Sequence, residues 1–146
     1  WAMTERSIPI TLSLQYDHGT GDFADYFDAL ALGRARASKC SKCGDVRIPP
    51  RFTCPYDGAA TEAIDLTGAG RVVAITRGEA VLPLADATSV CCFVLVAMEG
   101  ANNFMFGRMV DDNADISVET YVQLVGGGAD SPHPAGAAIF KSAKDQ

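Results

Sequence analysis

Apolar and polar residues alternate near the start of the chain: Ile8, Ile10, Leu12, Leu14 and Tyr16 interleave with Pro9, Thr11, Ser13 and Gln15. A period of two predicts an extended segment with one buried face. Pro9 lacks an amide donor, so the segment is expected at a sheet edge or laid across another surface. After His18-Gly19-Thr20-Gly21 the period changes. Phe23, Tyr26, Phe27 and Leu30 recur at i, i+3, i+4 and i+7, which predicts a short helix with one aromatic stripe. Asp22 is positioned to cap its first turn. Asp22, Asp25 and Asp28 lie toward its start and Arg34 and Arg36 toward its end, an order that complements the helix dipole. The stripe is expected to dock on the rest of the chain or on a partner.

From Thr61 onward the pattern becomes short strands separated by turn residues: Thr61–Leu66, Arg71–Arg77, Val90–Met98, Asn103–Val110, Thr120–Val125 and a last candidate at Ala137–Lys141. Gly68-Ala69-Gly70, Glu99-Gly100-Ala101-Asn102 and Asp111-Asp112-Asn113 separate them, and Gly126-Gly127-Gly128 with Ser131-Pro132-His133-Pro134 forms a flexible loop before the last. So many short strands in one stretch predict a small barrel or sandwich.

Between these regions, Cys40, Cys43 and Cys54 follow C-x2-C-x10-C, and Asp57 stands where a zinc ribbon would carry its fourth thiolate. Cys40-Ser41-Lys42-Cys43 and Cys54-Pro55-Tyr56-Asp57 have the spacing of two knuckles that turn their ends toward one centre, joined by the stiff link Ile48-Pro49-Pro50-Arg51. Zinc accepts carboxylate oxygen at about 2.0–2.2 Å as well as thiolate at about 2.3 Å, so three thiolates and one carboxylate form a reasonable tetrahedral set. The competing reading is that the fourth ligand is lost and packing alone holds the knuckles. A redox C-x-x-C is less favoured, because no βαβ pattern surrounds it.

A chain of 146 residues, 48% of them hydrophobic, is long enough for a sizeable core. No apolar run approaches the roughly 18 residues that would suggest a membrane span, and no secretory leader is evident. Trp1 and Ala2 precede Met3, which is the expected native start. Five cysteines, three of them in a knuckle pattern, fit a reducing compartment, so a cytoplasmic protein without membrane attachment is expected. Net charge is −6, which argues against binding nucleic acid through bulk electrostatics. Yet six of the twelve basic residues (Arg34, Arg36, Lys39, Lys42, Arg47 and Arg51) fall in one stretch whose single acid is Asp45, giving a local charge of +5. Such a cationic segment either recognises a small polyanion or is simply a solvated face.

The remaining candidates for chemistry are weak. Cys91 and Cys92 lie in an apolar strand with no base or helix terminus nearby and are expected in the core. His18 and His133 sit in separate loops without a nucleophile. Asp111, Asp112 and Asp115 lack the spacing of a calcium loop, and Gly68-Ala69-Gly70 is too short for a phosphate loop.

Several features come in a specific order: Tyr16 and Gly19 in an N-terminal arm; a Phe-rich helix ending in Leu32-Gly33; Cys40-x-x-Cys43-Gly44; Pro49-Pro50-Arg51-x-x-Cys54-Pro55; and Gly70-Arg71-Val72 opening a β-region. Over about residues 8–141 this order resembles the DUF35 family. The resemblance implies a mainly β fold with an N-terminal arm and docking helix (1–36), a rubredoxin-like zinc ribbon (37–60) and a C-terminal OB-fold barrel (61–146). It further implies a non-catalytic accessory subunit of a heteromeric acyl-CoA enzyme, with a thiolase-superfamily catalytic subunit as partner or, less often, a hydratase or side-chain aldolase. In that reading zinc is structural, bound by Cys40, Cys43, Cys54 and Asp57. Arg47 and Arg51 then meet the phosphates of coenzyme A or an acyl-CoA. Two departures from the family pattern stand out: Asp57 at the fourth ligand position, and Ile116-Ser117-Val118-Glu119 where relatives tend to have a glycine.

Two other functions compete. Ribbons and OB-folds also bind nucleic acid, but Phe93, Phe104, Phe106 and Tyr121 share their strands with only Arg108, so no nucleic-acid partner is expected. A small autonomous enzyme would use His18 or a three-thiolate metal site with an open position, available if Asp57 does not bind.

Overall fold

In a computed structural model of the chain, the described residues are 8–14, 16, 19–82, 87–111, 115–127 and 138–143. His18, His133, Asp112 and the Ser131–Pro134 run lie outside them. Gly21–Phe23 form a 3-10 turn that leads into α1 (Ala24–Ala31). Neither start carries a side-chain cap, so Asp22 does not play the capping role expected of it. Tyr26, Ala29 and Leu30 are buried, and Phe23 and Phe27 pack partly buried against the core, as the stripe predicts.

The helix ends earlier than the charge pattern suggests. Gly33 takes a left-handed φ of +72°, its N–H bonds to Leu30 O (3.0 Å), and Arg34 N–H reaches Ala29 O (2.8 Å). This paired closure terminates the helix, so Arg34 and Arg36 lie beyond it. Gly33 meets Gly126, which also has positive φ, where the chain leaves the barrel. A Cβ on Gly126 would stand 2.4 Å from Leu30 O, and one on Gly33 2.6 Å from Val125 O. Only glycine at both positions allows this approach.

Two sheets follow. β1 (Ala35–Cys40) pairs antiparallel with β2 (Val46–Arg47) on one side and β3 (Thr61–Leu66) on the other. The strand at 61–66 therefore forms as expected but belongs to the ribbon sheet instead of the barrel. The barrel is closed by β4 (Ala69–Val81), β5 (Thr88–Met98), β6 (Phe104–Met109), β7 (Tyr121–Leu124) and β8 (Ile139–Ser142) in the order β4-β5-β6-β8-β7. All pairings are antiparallel except β6 with β8, and β7 returns to β4. That one-two-three-five-four circuit is the OB-fold. Each strand sends alternate residues inward. Val72, Val94, Val96, Met105, Met109, Val122, Leu124 and Phe140 fill the interior, and Cys91 and Cys92 are fully buried as expected.

The turn before β6 fastens ribbon to barrel. Asn102 Oδ1 accepts from Val46 N–H (2.8 Å) while its own N–H donates to Val46 O (2.8 Å). Asn103 Oδ1 accepts from Ile48 N–H (3.0 Å), and its Nδ2 donates to Ile48 O (2.8 Å). Another turn, before β7, takes Glu119 to a φ of +72°, the one non-glycine residue in this region among those described.

The N-terminal arm does not gain the buried face its alternation predicts. Ile8, Ile10, Leu12, Leu14 and Tyr16 are each at least 80% exposed and form no regular element. No helix among the described residues is long and apolar enough to cross a membrane.

Candidate metal centre

The two knuckles are built alike. Gly44 N–H donates to Cys40 O (3.1 Å) and Cys40 N–H to Asp45 O (2.8 Å); Gly58 N–H donates to Cys54 O (3.1 Å) and Cys54 N–H to Ala59 O (2.9 Å). Gly44 and Gly58 both have positive φ, at +76° and +69°. The repeated hydrogen bonding puts Asp57 in the second knuckle where Cys43 stands in the first. The carboxylate thus inherits a ligand's position without any change of backbone.

The four ligand groups of Cys40, Cys43, Cys54 and Asp57 all lie within 4.8 Å of one another. Cys43 Sγ and Cys54 Sγ are 3.5 Å apart, and Cys40 Sγ is 3.6 Å from both Asp57 oxygens. A tetrahedron with metal–sulfur bonds of about 2.3 Å has edges of about 3.8 Å, so this spacing suits an ion such as zinc. Amides support the anionic forms. The Cys43 N–H, followed by that of Lys42, lowers the Cys40 thiol, each donating to its sulfur at 3.4 Å. The Ala59 N–H, 2.9 Å from Asp57 Oδ1, holds that carboxyl below its ordinary range. At Cys43 the Asp45 N–H also favours the thiolate, but desolvation and the neighbouring Cys40, Cys54 and Asp57 outweigh it, pushing the thiol up to about 12. Four acidic groups this close do not all ionise together without a cation, a charge that a divalent metal held by them would supply.

The basic stretch is partly neutralised by a strand that sequence reasoning assigned elsewhere. The β1–β3 register sets Arg36 opposite Asp65, with a 3.1 Å ion pair, and Lys39 opposite Glu62. Arg47 Nε bonds Asp45 Oδ2 (2.7 Å), its second nitrogen meets Tyr56 Oη (2.7 Å), and its guanidinium lies over the Tyr56 ring. Arg51 is exposed. Its N–H donates to the buried Ser38 Oγ (2.9 Å), and it lines a cavity of about 420 Å³ with Phe23, Pro49, Pro50 and Phe52. Sequence reasoning missed Ser38 and the Asn102–Asn103 clamp. A serine between alternating basic residues and an Asn pair after Gly100 read as ordinary surface and turn residues.

No family model matches the chain, and no curated protein does. Solved structures do. The chain is similar to one described as the Ltp2-ChsH2(DUF35) aldolase, with 21% identity and a TM-score of 0.67 over 87% of this chain and 98% of that one. It is also similar to a DUF35 protein of unknown function from Sulfolobus solfataricus, with 16% identity and a TM-score of 0.56 over 82% of this chain and 83% of that one. The ribbon, helix and closed barrel are therefore the fold of DUF35 proteins.

Proposed function

We propose that the chain is a DUF35-family accessory subunit that docks on a larger acyl-CoA enzyme of the thiolase type and performs no bond chemistry itself. The observation that carries this reading is the arm. Five large apolar side chains in nine residues stand open to water, which is costly for a lone chain and is relieved if a partner covers them. Leu32 and Phe52, both more than half exposed, add further apolar surface at the helix end and the link. The likeness to the DUF35 chain of an aldolase supports a heteromeric assembly. In it, Cys40, Cys43, Cys54 and Asp57 hold zinc as a structural clip. Arg51 and, secondarily, Arg47 meet the phosphates of coenzyme A; Arg51 is the stronger of the two because Arg47 is already engaged by Asp45 and Tyr56.

The test is co-expression with a thiolase-type chain encoded nearby. The two should co-elute on size-exclusion, and Ile10→Asp with Leu14→Asp should abolish co-elution while leaving the fold and metal content intact. A chain that remains a monomer and shifts no candidate partner overturns the reading. Within the complex, Arg51→Gln should raise KM for the acyl-CoA by about tenfold with kcat little changed. The same likeness favours one second reading, an aldolase partner. Assaying the complex for aldol cleavage against thiolysis separates the two.

A further inference from the structure

We propose that the outer face of the barrel carries a binding site for an organic anion with a flat apolar body and one carboxylate. The inward alternation of β6 buries Met105 and Met109 and sends Phe104, Phe106 and Arg108 outward. Phe93 and Leu95 of β5 join them on that face. Solvent-facing positions of a small barrel are ordinarily polar, yet Phe104 and Phe106 are 56% and 60% exposed. They do not form a flat patch. Helix α1 rises beside them with Tyr26 and Leu30, and Pro49 closes a further side, leaving a slot of about 460 Å³. That volume, with mainly apolar walls and a single charged group, matches a small-molecule site.

Two details select the ligand. The Phe93 and Phe106 rings are stacked, 5.6 Å apart and within 17° of parallel, so a planar guest can extend the stack. Arg108 is the single charged residue lining the slot among the described residues, and its Nε is buried with no hydrogen-bond acceptor. Closed to water-sized groups, that Nε does not itself take a ligand; the outer nitrogens of the same half-buried guanidinium meet the carboxylate in a charge-assisted pair. A nucleic-acid strand fits less well. It needs a succession of cations along the groove, whereas this slot has one and the chain is acidic overall. The site belongs to this chain's own barrel and stands independently of any docked enzyme.

Titration of the full chain with 2-naphthoate and its neutral analogue 2-naphthamide, followed by amide NMR shifts, tests the proposal. Naphthoate should bind more tightly than the amide, with shifts confined to β5, β6 and α1. Arg108→Gln should weaken naphthoate by about tenfold while leaving naphthamide unchanged. Phe106→Ala, at an exposed position that does not threaten folding, should weaken both. The proposal is overturned if naphthoate binds no better than naphthamide, if Arg108→Gln changes nothing, or if neither probe moves the slot resonances. It is equally overturned if a single-stranded oligonucleotide occupies this face more tightly than naphthoate, with affinity that collapses in salt.

Discussion

The barrel is built around packed side chains, and the far end of the ribbon around four groups placed to hold a metal. Val72, Val94, Val96, Met105, Val122 and Phe140 fill a closed interior around which every barrel strand has two neighbours. The ribbon contributes only Ala35, Ala37, Val46, Ile48 and partly buried Ile64 and Leu66 to that same core. Its far end, the knuckles, contributes no residue to that core. A hairpin pair this small buries little surface against the entropy of ordering it, so a metal cross-link at Cys40, Cys43, Cys54 and Asp57 would carry much of its stability. The contrast teaches where each kind of perturbation is felt: in the barrel, volume and backbone geometry; in the knuckles, charge and metal.

The largest effect should follow from removing the metal. Structural zinc contributes on the order of 10–16 kcal/mol in small ribbons. Chelation or Cys54→Ser should therefore erase amide-exchange protection from Cys40 to Ala60 while β4 to β6 stay protected. A ribbon that keeps its protection without metal would erase the contrast. Asp57→Ala should lower metal content without unfolding the barrel. Acid should release the metal, because protons compete for the thiolates as pH falls. Asp57, whose carboxyl the Ala59 N–H holds below its ordinary range, adds no proton to that competition near neutrality. Asp57→Cys should therefore steepen the pH dependence of metal affinity by one proton, as read by competition titration; an unchanged slope would mean that Asp57 is not a ligand.

Next comes Gly126→Ala, which forces a Cβ against Leu30 O and a residue other than glycine into positive φ. It should cost about 3 kcal/mol in denaturant unfolding and leave metal affinity unchanged. Asn103→Ala leaves both polar groups of Ile48 without their partners and should cost about 2 kcal/mol, loosening the ribbon from the barrel with the metal still bound. Smallest is a gain. Glu119→Gly relieves a left-handed backbone and should stabilise the barrel by about 1 kcal/mol, seen as a higher Tm.

What the sequence revealed follows the range of the interactions involved. The knuckles are local, so the spacing of Cys40, Cys43, Cys54 and Asp57 was enough to find a cluster that the fold then closes. The aromatic stripe and most barrel strands were legible for the same reason, each being a periodicity within a few residues. Pairing was not. Arg34 and Arg36 resembled the cationic end of a helix because nothing local reveals that Asp65 and Glu62, more than twenty residues later, stand across from β1. The local charge of +5 was overestimated as a free field for that reason. The arm's alternation was legible, but its buried face is absent from the chain itself, since alternation specifies amphipathicity without naming what covers it. Phe93, Phe104, Phe106 and Arg108 were visible as residues sharing strands; the slot among them depends on α1 and Pro49 closing its sides.

Asn103, whose side chain grips the main chain of Ile48, is the direct neighbour of Phe104 at the mouth of the barrel slot. Pro49, which follows Ile48, forms another part of the same slot. The link between the knuckles and the wall of the aromatic slot are thus held to each other within one turn of chain. An ion at the four ligand groups and a guest in the proposed slot would each rest on that one short stretch of chain.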